Sequence, residues 1–392
     1  MINEKSYALG ANRSAIRDLF EYGRQRAALV GEENVFDFSL GNPSIPAPAE
    51  INKTIAELLA DTDSLSLHGY TSAVGDLATR QAIAEDLNSR YVDANVKPEK
   101  LFLTCGAAPA LTAVFRALAA PGAELLAVAP FFPEYRPFAQ EAGLCFRVVP
   151  ADVPDFQIDF DALAVMLSEN TAAIILNSPN NPAGTVYTRD TLQKLAALLT
   201  EKSRQYGHPI YIIADEPYRE LVYGVEVPFI PAIYPDTVVC YSYAKSLSLP
   251  GERIGYIYVP QAATDSDALY AAVCGAARAM GHVCAPSLLQ KVIARCAHLR
   301  PDLNAYDRNR TALYEGLTKL GYEVAKPDGA FYLFVKAPGC SAAEFSEKAK
   351  KLDLLVVPGD SFGCPDYFRL CYCVSYDKIT RSIPLFKKLI EK

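Results

Sequence analysis

Short apolar runs recur through the first two thirds of the chain, at 101–104, 124–129, 145–149, 172–177, 210–214, 238–241 and 254–259. Many are apolar throughout, with no alternating polar positions, which is the pattern of strands covered on both faces by helices. Stretches with helical spacing separate them, so the expected fold class is α/β with a mainly parallel central sheet. After about residue 285 the rhythm changes. An amphipathic helical pattern over 302–320 leads to strand runs at 331–335, 354–357 and 368–373, with helical patterns over 342–352 and 378–390. This predicts a smaller α+β domain, joined by an N-terminal segment whose own helical pattern covers 14–28 and precedes the turn-rich stretch 41–48. At 392 residues the chain exceeds one ordinary core. The expected division is a large domain over 47–284 and a small domain made of 1–46 with 285–392.

Composition narrows the partners. Hydrophobic residues make up 51% and charged residues 21%, as in a globular protein in water, and the net charge of −7 is spread with no basic stretch, which argues against nucleic acid. No signal-peptide core follows Met1-Ile2-Asn3-Glu4-Lys5, and no apolar run reaches the roughly 18 residues of a membrane span. The expected location is cytoplasmic. The ten cysteines are scattered, mostly inside apolar runs. The tightest group, Cys364, Cys371 and Cys373 with Cys340 earlier, lacks CxxC spacing and a nearby His, so no metal site is expected.

Strand ends are where an α/β sheet presents ligand-binding groups. Five of them carry functional-looking turns: Cys105-Gly106-Ala107-Ala108, Pro130 to Tyr135, Asn177 to Gly184, Asp215-Glu216-Pro217-Tyr218, and Ser242 to Lys245. Gly106-Ala107-Ala108 opens a helix of small residues whose free N–H groups suit a phosphate, and Ser242 with Arg253 supplies the hydroxyl and guanidinium that complete a phosphate cup. Lys245, an amine at a strand end among these groups, suits a covalently held phosphorylated aldehyde. Asp215 fits either a helix N-cap or a carboxylate that keeps a pyridine nitrogen protonated. Asn181 and Tyr218 could bond a phenolic ring oxygen, and Phe132 offers either a stacking face or core packing. Arg369, among apolar residues on a strand, reads as a solvated edge residue or as a bidentate carboxylate binder.

One motif misleads. Gly359-Asp360-Ser361-Phe362-Gly363 matches the G-x-S-x-G nucleophile elbow, but that fold places its catalytic His after the Ser. His68, His208, His282 and His298 all precede Ser361, so the triad cannot be built. No G-x-G-x-x-G or P-loop pattern is present either.

Together these runs resemble the pyridoxal phosphate (PLP)-dependent class I/II aminotransferases, the fold-type I family that includes aspartate aminotransferase. The likeness extends from about Phe36 to Arg369, with the motifs in the family's order. It implies that Lys245 forms the Schiff base with PLP, that Ser242, Arg253 and Gly106-Ala107-Ala108 hold the phosphate, and that Asp215 pairs with the pyridine nitrogen. It also implies that Asn181 and Tyr218 bind the ring oxygen, that Phe132 stacks on the ring, and that Arg369 binds the substrate α-carboxylate. Tyr70 resembles the tyrosine that reaches the phosphate of a neighbouring subunit, so a homodimer is implied, and Gly41 resembles the glycine that closes over the substrate. The implied activity is ping-pong transfer of an amino group between an L-amino acid and a 2-oxo acid, possibly aspartate aminotransferase-like. Ala108 and Met280 stand where aspartate-specific relatives place a lysine or an arginine for the distal carboxylate. The alternative on the same scaffold is a C–S lyase or other α/β-elimination enzyme. A remoter one is a PLP-sensing regulatory module, for which the roughly 40 residues before Gly41 are too few to add a DNA-binding domain and are not basic.

Overall fold

A computed structural model describes residues 1–11 and 15–391. In chain order the strands are β1 (Phe36–Asp37), β2 (Leu101–Thr104), β3 (Glu124–Val128), β4 (Cys145–Val149), β5 (Thr171–Asn177), β6 (Tyr211–Asp215), β7 (Thr237–Ser242), β8 (Gly255–Tyr258), β9 (Tyr332–Lys336), β10 (Leu354–Leu355), β11 (Val357–Pro358) and β12 (Tyr367–Cys371). Seven form one sheet in the order β2-β8-β7-β6-β5-β3-β4. All neighbours from β7 to β4 run parallel, and β8 lies antiparallel between β7 and β2. The expected mainly parallel α/β sheet is therefore the fold.

The uninterrupted apolar runs have a direct cause in this sheet. Successive residues of a strand point to opposite faces, and here both faces are covered. Ile174, Leu176, Ile212 and Ala214 join a core with Ile51, Ile83, Leu195 and Val292 from the helices Ala49–Asp61, Leu77–Arg90, Arg189–Tyr206 and Ser287–Cys296. Their neighbours Ala173, Ile175, Tyr211 and Ile213 join another with Val114, Ala139 and Val273 from the helices Ala107–Leu118, Tyr135–Ala142 and Ser266–Ala279.

The C-terminal part is built on a three-stranded antiparallel sheet, β11-β12-β9, packed with the helices Asn304–Lys319, Ala342–Lys350 and Tyr376–Ile390. The N-terminal segment docks here: β1 pairs in parallel with β10, and Phe36 and Phe38 pack among Leu354, Phe368 and Phe386. The helix expected over 14–28 spans Ala15–Val30, with Ser14 outside the described residues. The run at 354–357 is not one strand. Leu354–Leu355 pairs with β1, whereas Val357–Pro358 pairs with β12 in another sheet. All four residues from Leu354 to Val357 are fully buried, so the sequence carries no alternation to mark the change of partner.

One close approach ties the sheet to a turn. A Cβ on Gly255 of β8 would stand 3.0 Å from Gly106 Cα and closer still to the Tyr241 carbonyl oxygen. Replacing Gly255 with Ala should cost about 1–3 kcal/mol of overpacking, read as a lower denaturant midpoint. An unchanged midpoint would show that β8 shifts freely against the Gly106 turn.

Candidate active site

Parallel pairing sets the floor of the site. β5, β6 and β7 lie in register with Asn177 beside Asp215 and Asp215 beside Cys240, so β5 and β6 end level at one rim and β7 runs on to Ser242. Above this rim lies a cavity of about 190 Å³ lined by Ala107, Ala108, Phe132, Asn181, Asp215, Tyr218, Ser242, Lys245 and Arg253 among others.

Asp215 is fully inside the protein. Its Oδ2 accepts the hydroxyl proton of Tyr135, while its Oδ1 has no hydrogen-bond partner. Burial pushes its carboxyl up to about 7, the bond from Tyr135 works the other way, and the charge of Glu216 adds to the rise. No helix begins at Asp215, so its carboxylate is not a cap; the turn that follows leads straight to Tyr218. A buried carboxylate with an unpartnered oxygen, on a residue that lines the cavity, suits a cationic N–H donor. Asn177 reinforces the position by donating to the Asp215 backbone oxygen at 2.8 Å and accepting the Asn181 N–H at 2.7 Å.

At the opposite side, Gly106 precedes the helix Ala107–Leu118 with φ +90°, a conformation that favours glycine. A Cβ there would come within 2.5 Å of Arg253 Nη2, so the guanidinium sits directly against this turn. Ser242 ends β7 and caps the short helix Tyr243–Ser246, accepting the Ala244 N–H at 3.2 Å. Hydroxyl, guanidinium and helix N-terminus therefore meet at one end of the cavity, an arrangement suited to a phosphate dianion.

Lys245 lies between the two ends. Its Nζ donates to the Gly41 carbonyl oxygen at 2.6 Å and stands 5.4 Å from the centre of the Phe331 ring. Burial pushes its pKa down, assisted by the charges of Arg369 and Arg253 and opposed by Cys371 and Cys373. Arg369 is buried, not a solvated edge residue. It donates to Asn181 Oδ1 at 3.0 Å and to the Ser39 carbonyl oxygen at 2.5 Å, its Nε has no partner, and the ring of Tyr332 lies 4.7 Å away. Tyr332 in turn meets Tyr218 Oη at 3.1 Å, and a Cβ on Gly41 would overlap its hydroxyl.

Gly106, Gly41 and Arg369 thus touch residues of the cavity without lining it, and Phe132 faces it with its ring edge-on to Tyr135 at 5.5 Å. Tyr70 is 89% exposed and stands apart. Asn177 and Tyr135 bound two of the turns that the sequence singles out, but the sequence assigns neither an individual role, and Tyr332 carries no signal among 23 tyrosines. Ser361 of the elbow-like motif lies in a 3₁₀ turn, exposed and away from the cavity.

Comparisons with known proteins show the family. The probable aspartate/prephenate aminotransferase of Aquifex aeolicus is 30% identical, covering 92% of each chain. Aromatic-amino-acid aminotransferase 2 of Thermococcus litoralis is 26% identical over 97% of this chain and 96% of its own. The crystal structure of an amino transferase from Eubacterium rectale superposes with a TM-score of 0.98 at 55% identity, covering 100% of this chain and 98% of that one. The family description "aminotransferase class I and II" matches residues 33–383, nearly the whole length, and the chain belongs to that family of transaminases.

Proposed function

We propose that this aminotransferase is PLP-dependent, moves an amino group from an L-amino acid to a 2-oxo acid in two alternating half-reactions, and works as a cytoplasmic homodimer. The observation that carries the reading is the unpartnered Oδ1 of Asp215, buried beside a cavity that Arg253 also lines with its guanidinium against the Gly106 turn.

The residues fit PLP. Asp215 would hold the protonated ring nitrogen through Oδ1, Asn181 and Tyr218 the ring oxygen, and Phe132 one ring face. The N–H groups after Gly106, with Ser242 and Arg253, would hold the phosphate, and Lys245 would carry the aldehyde as a Schiff base. PLP, when bound, supplies an electron-withdrawing ring that stabilises negative charge at the substrate α-carbon. The protein's own groups do the rest. Lys245, pushed toward the neutral amine by burial, would be the base that takes the proton from the substrate α-carbon and holds it for return. Arg369 clamps the substrate carboxylate, which fixes the direction of the bond to be broken. Tyr135 keeps the Asp215 carboxylate turned toward the cavity.

Tyr70, exposed on the single chain, fits a role in a partner's phosphate site. For the amino donor, the cations lining the cavity are Lys245 and Arg253, both assigned above. A second substrate carboxylate would therefore need a cation from outside the lining. Relatives named for aspartate, prephenate and aromatic amino acids span the donors to test first against 2-oxoglutarate.

Three outcomes follow. Changing Lys245 to Ala should abolish the visible absorbance of bound PLP and lower turnover about 10²–10⁴-fold or more; PLP mass still retained after borohydride reduction would remove Lys245 from its role. Changing Arg369 to Lys should raise KM for the amino acid about 10–100-fold, since a planar fork is lost, and an unchanged KM would relocate the carboxylate site. The third concerns pH. The Asp215 carboxyl is raised from 3.8 to about 7 in the folded protein, so it contributes stability below about pH 4 that is lost as pH rises through 7. In PLP-free protein, Asp215→Asn should therefore be the more stable form at pH 8, by on the order of a few kcal/mol, with the difference shrinking toward pH 5. Adding PLP at pH 8 should raise the unfolding temperature of the wild type more than that of Asp215→Asn. Parallel pH profiles would show that Asp215 does not carry the buried charge.

A further inference from the structure

Behind the cavity lies a buried group of charges that the chemistry above does not use. The turn after β6 has two sets of side chains. Pro217 and Tyr218 line the cavity, whereas Glu216, Arg219 and Glu220 are buried on the other side. Arg219 Nε donates to Glu216 Oε2 at 2.5 Å, and its Nη1 donates to Tyr256 Oη at 2.8 Å. Glu220 accepts Arg90 Nη1 on one oxygen and Tyr241 Oη on the other, both at 2.7 Å. Burying such ions costs several kcal/mol each before pairing, and well-packed apolar side chains would be about as stable. Stability alone is therefore a poor account of them.

Their placement gives a better one. Tyr241 Oη also meets Ser246 Oγ at 2.8 Å, and Ser246 is the residue after Lys245. Glu220 is an acceptor: burial opposes its charge, but Arg90, Arg219 and the bonds from Tyr241 and Arg90 hold its carboxyl below the usual range. A phenol has one proton, so Tyr241 donates to Glu220 and accepts from Ser246. The phenol itself is fixed, with its ring stacked on Tyr256 at 4.9 Å and the Arg219 guanidinium 4.7 Å from its centre. The helix that carries Lys245, Tyr243–Ser246, has four residues. One turn of helix has too few internal bonds to hold its own position, so its side-chain anchors set where the amine stem begins. Ser242 anchors the start and Ser246 the end.

We propose that the chain Ser246–Tyr241–Glu220, backed by Arg90 and Arg219, is a positioning relay that fixes the root of Lys245 relative to the turn carrying Tyr218. The proposal rests on the PLP reading of the site. Tyr241 and Ser246 act through Lys245 and touch no reacting atom. The groups that face the Lys245 amine itself are the Gly41 carbonyl oxygen, the Phe331 ring, and the charges or thiols of Arg369, Arg253, Cys371 and Cys373. The relay sets their distances to the amine and contributes no charge to them directly.

The test uses the PLP-loaded protein with Tyr241→Phe, Ser246→Ala and the double variant, each of which keeps the packing shape. Bound PLP absorbance is titrated with pH in the absence of substrate, and the rate of the first half-reaction is measured in single turnover. In both single variants the titration midpoint should shift in the same direction by about half a unit or more, and the half-reaction should slow about tenfold. The double variant should add little to either, because both changes cut one chain. Affinity for an unreactive carboxylate competitor should stay unchanged, since Arg369 is untouched. Unchanged midpoints accompanied by a lower unfolding temperature would overturn the relay and leave a structural hydrogen bond; additive shifts in the double variant would overturn it as a single chain. Should Tyr241→Phe fail to fold, the Ser246→Ala midpoint decides alone. Absence of a visible band in the wild type would overturn the cofactor reading and the relay with it.

Discussion

The in-register parallel pairing of β5, β6 and β7 is the constraint on which the rest of this molecule depends. Backbone bonds set Asn177, Asp215 and Cys240 side by side, and the chain leaves all three strands at the same rim. Four polar residues of the site extend those ends: Asn181 after β5, Tyr218 after β6, and Ser242 and Lys245 at and after β7. A slip of one residue in β6 would turn the Asp215 side chain to the opposite face and move Tyr218 with it. The two cores on either side of the sheet resist that slip, since each strand residue belongs to one of them and would be forced into the other.

That register places charges where water does not reach, and the protein handles them in two ways. Glu216, Glu220, Arg219 and Arg90 are matched with each other, so their burial is compensated within the fold. Asp215 is compensated on one oxygen only, by Tyr135, and Lys245 is a half-buried amine offered just a carbonyl oxygen and an aromatic face. Both Asp215 and Lys245 line the cavity. A ligand with a cationic N–H would relieve the imbalance at Asp215, which would couple binding to stability at this site.

Much of this was legible in the chain because a polar residue that stops an apolar run is conspicuous. Asp215 after Ile212-Ile213-Ala214, and Lys245 and Arg253 on either side of a proline-glycine turn, stand out for that reason. Arg369 was ambiguous because its neighbours come from elsewhere: Asn181 lies 188 residues away and Ser39 lies 330 away. Tyr135 was silent on the same account, with its partner 80 residues off and an aromatic-rich context around it. Arg219 and Glu220 would read as solvated turn charges, and only the packing of β7 and β8 against the turn makes them interior. The sequence thus reveals groups whose role is set by their own strand and hides those whose role is set by a distant one.

The segment from Ser39 to Gly41 shows how the two halves of the molecule are joined through the site. Its backbone oxygens accept from Arg369 at Ser39 and from Lys245 at Gly41, and Gly41 needs its missing Cβ because Tyr332 Oη fills that space. Two side chains with chemical work to do are thus held by carbonyls of one short stretch that itself follows β1 into the C-terminal sheet region. A carboxylate arriving at Arg369 must compete with the Ser39 oxygen, and a Lys245 amine engaged elsewhere releases the Gly41 oxygen. Each exchange removes a tether from the same three residues. On the proposed reading, loading of the site and placement of the N-terminal segment would be one linked equilibrium.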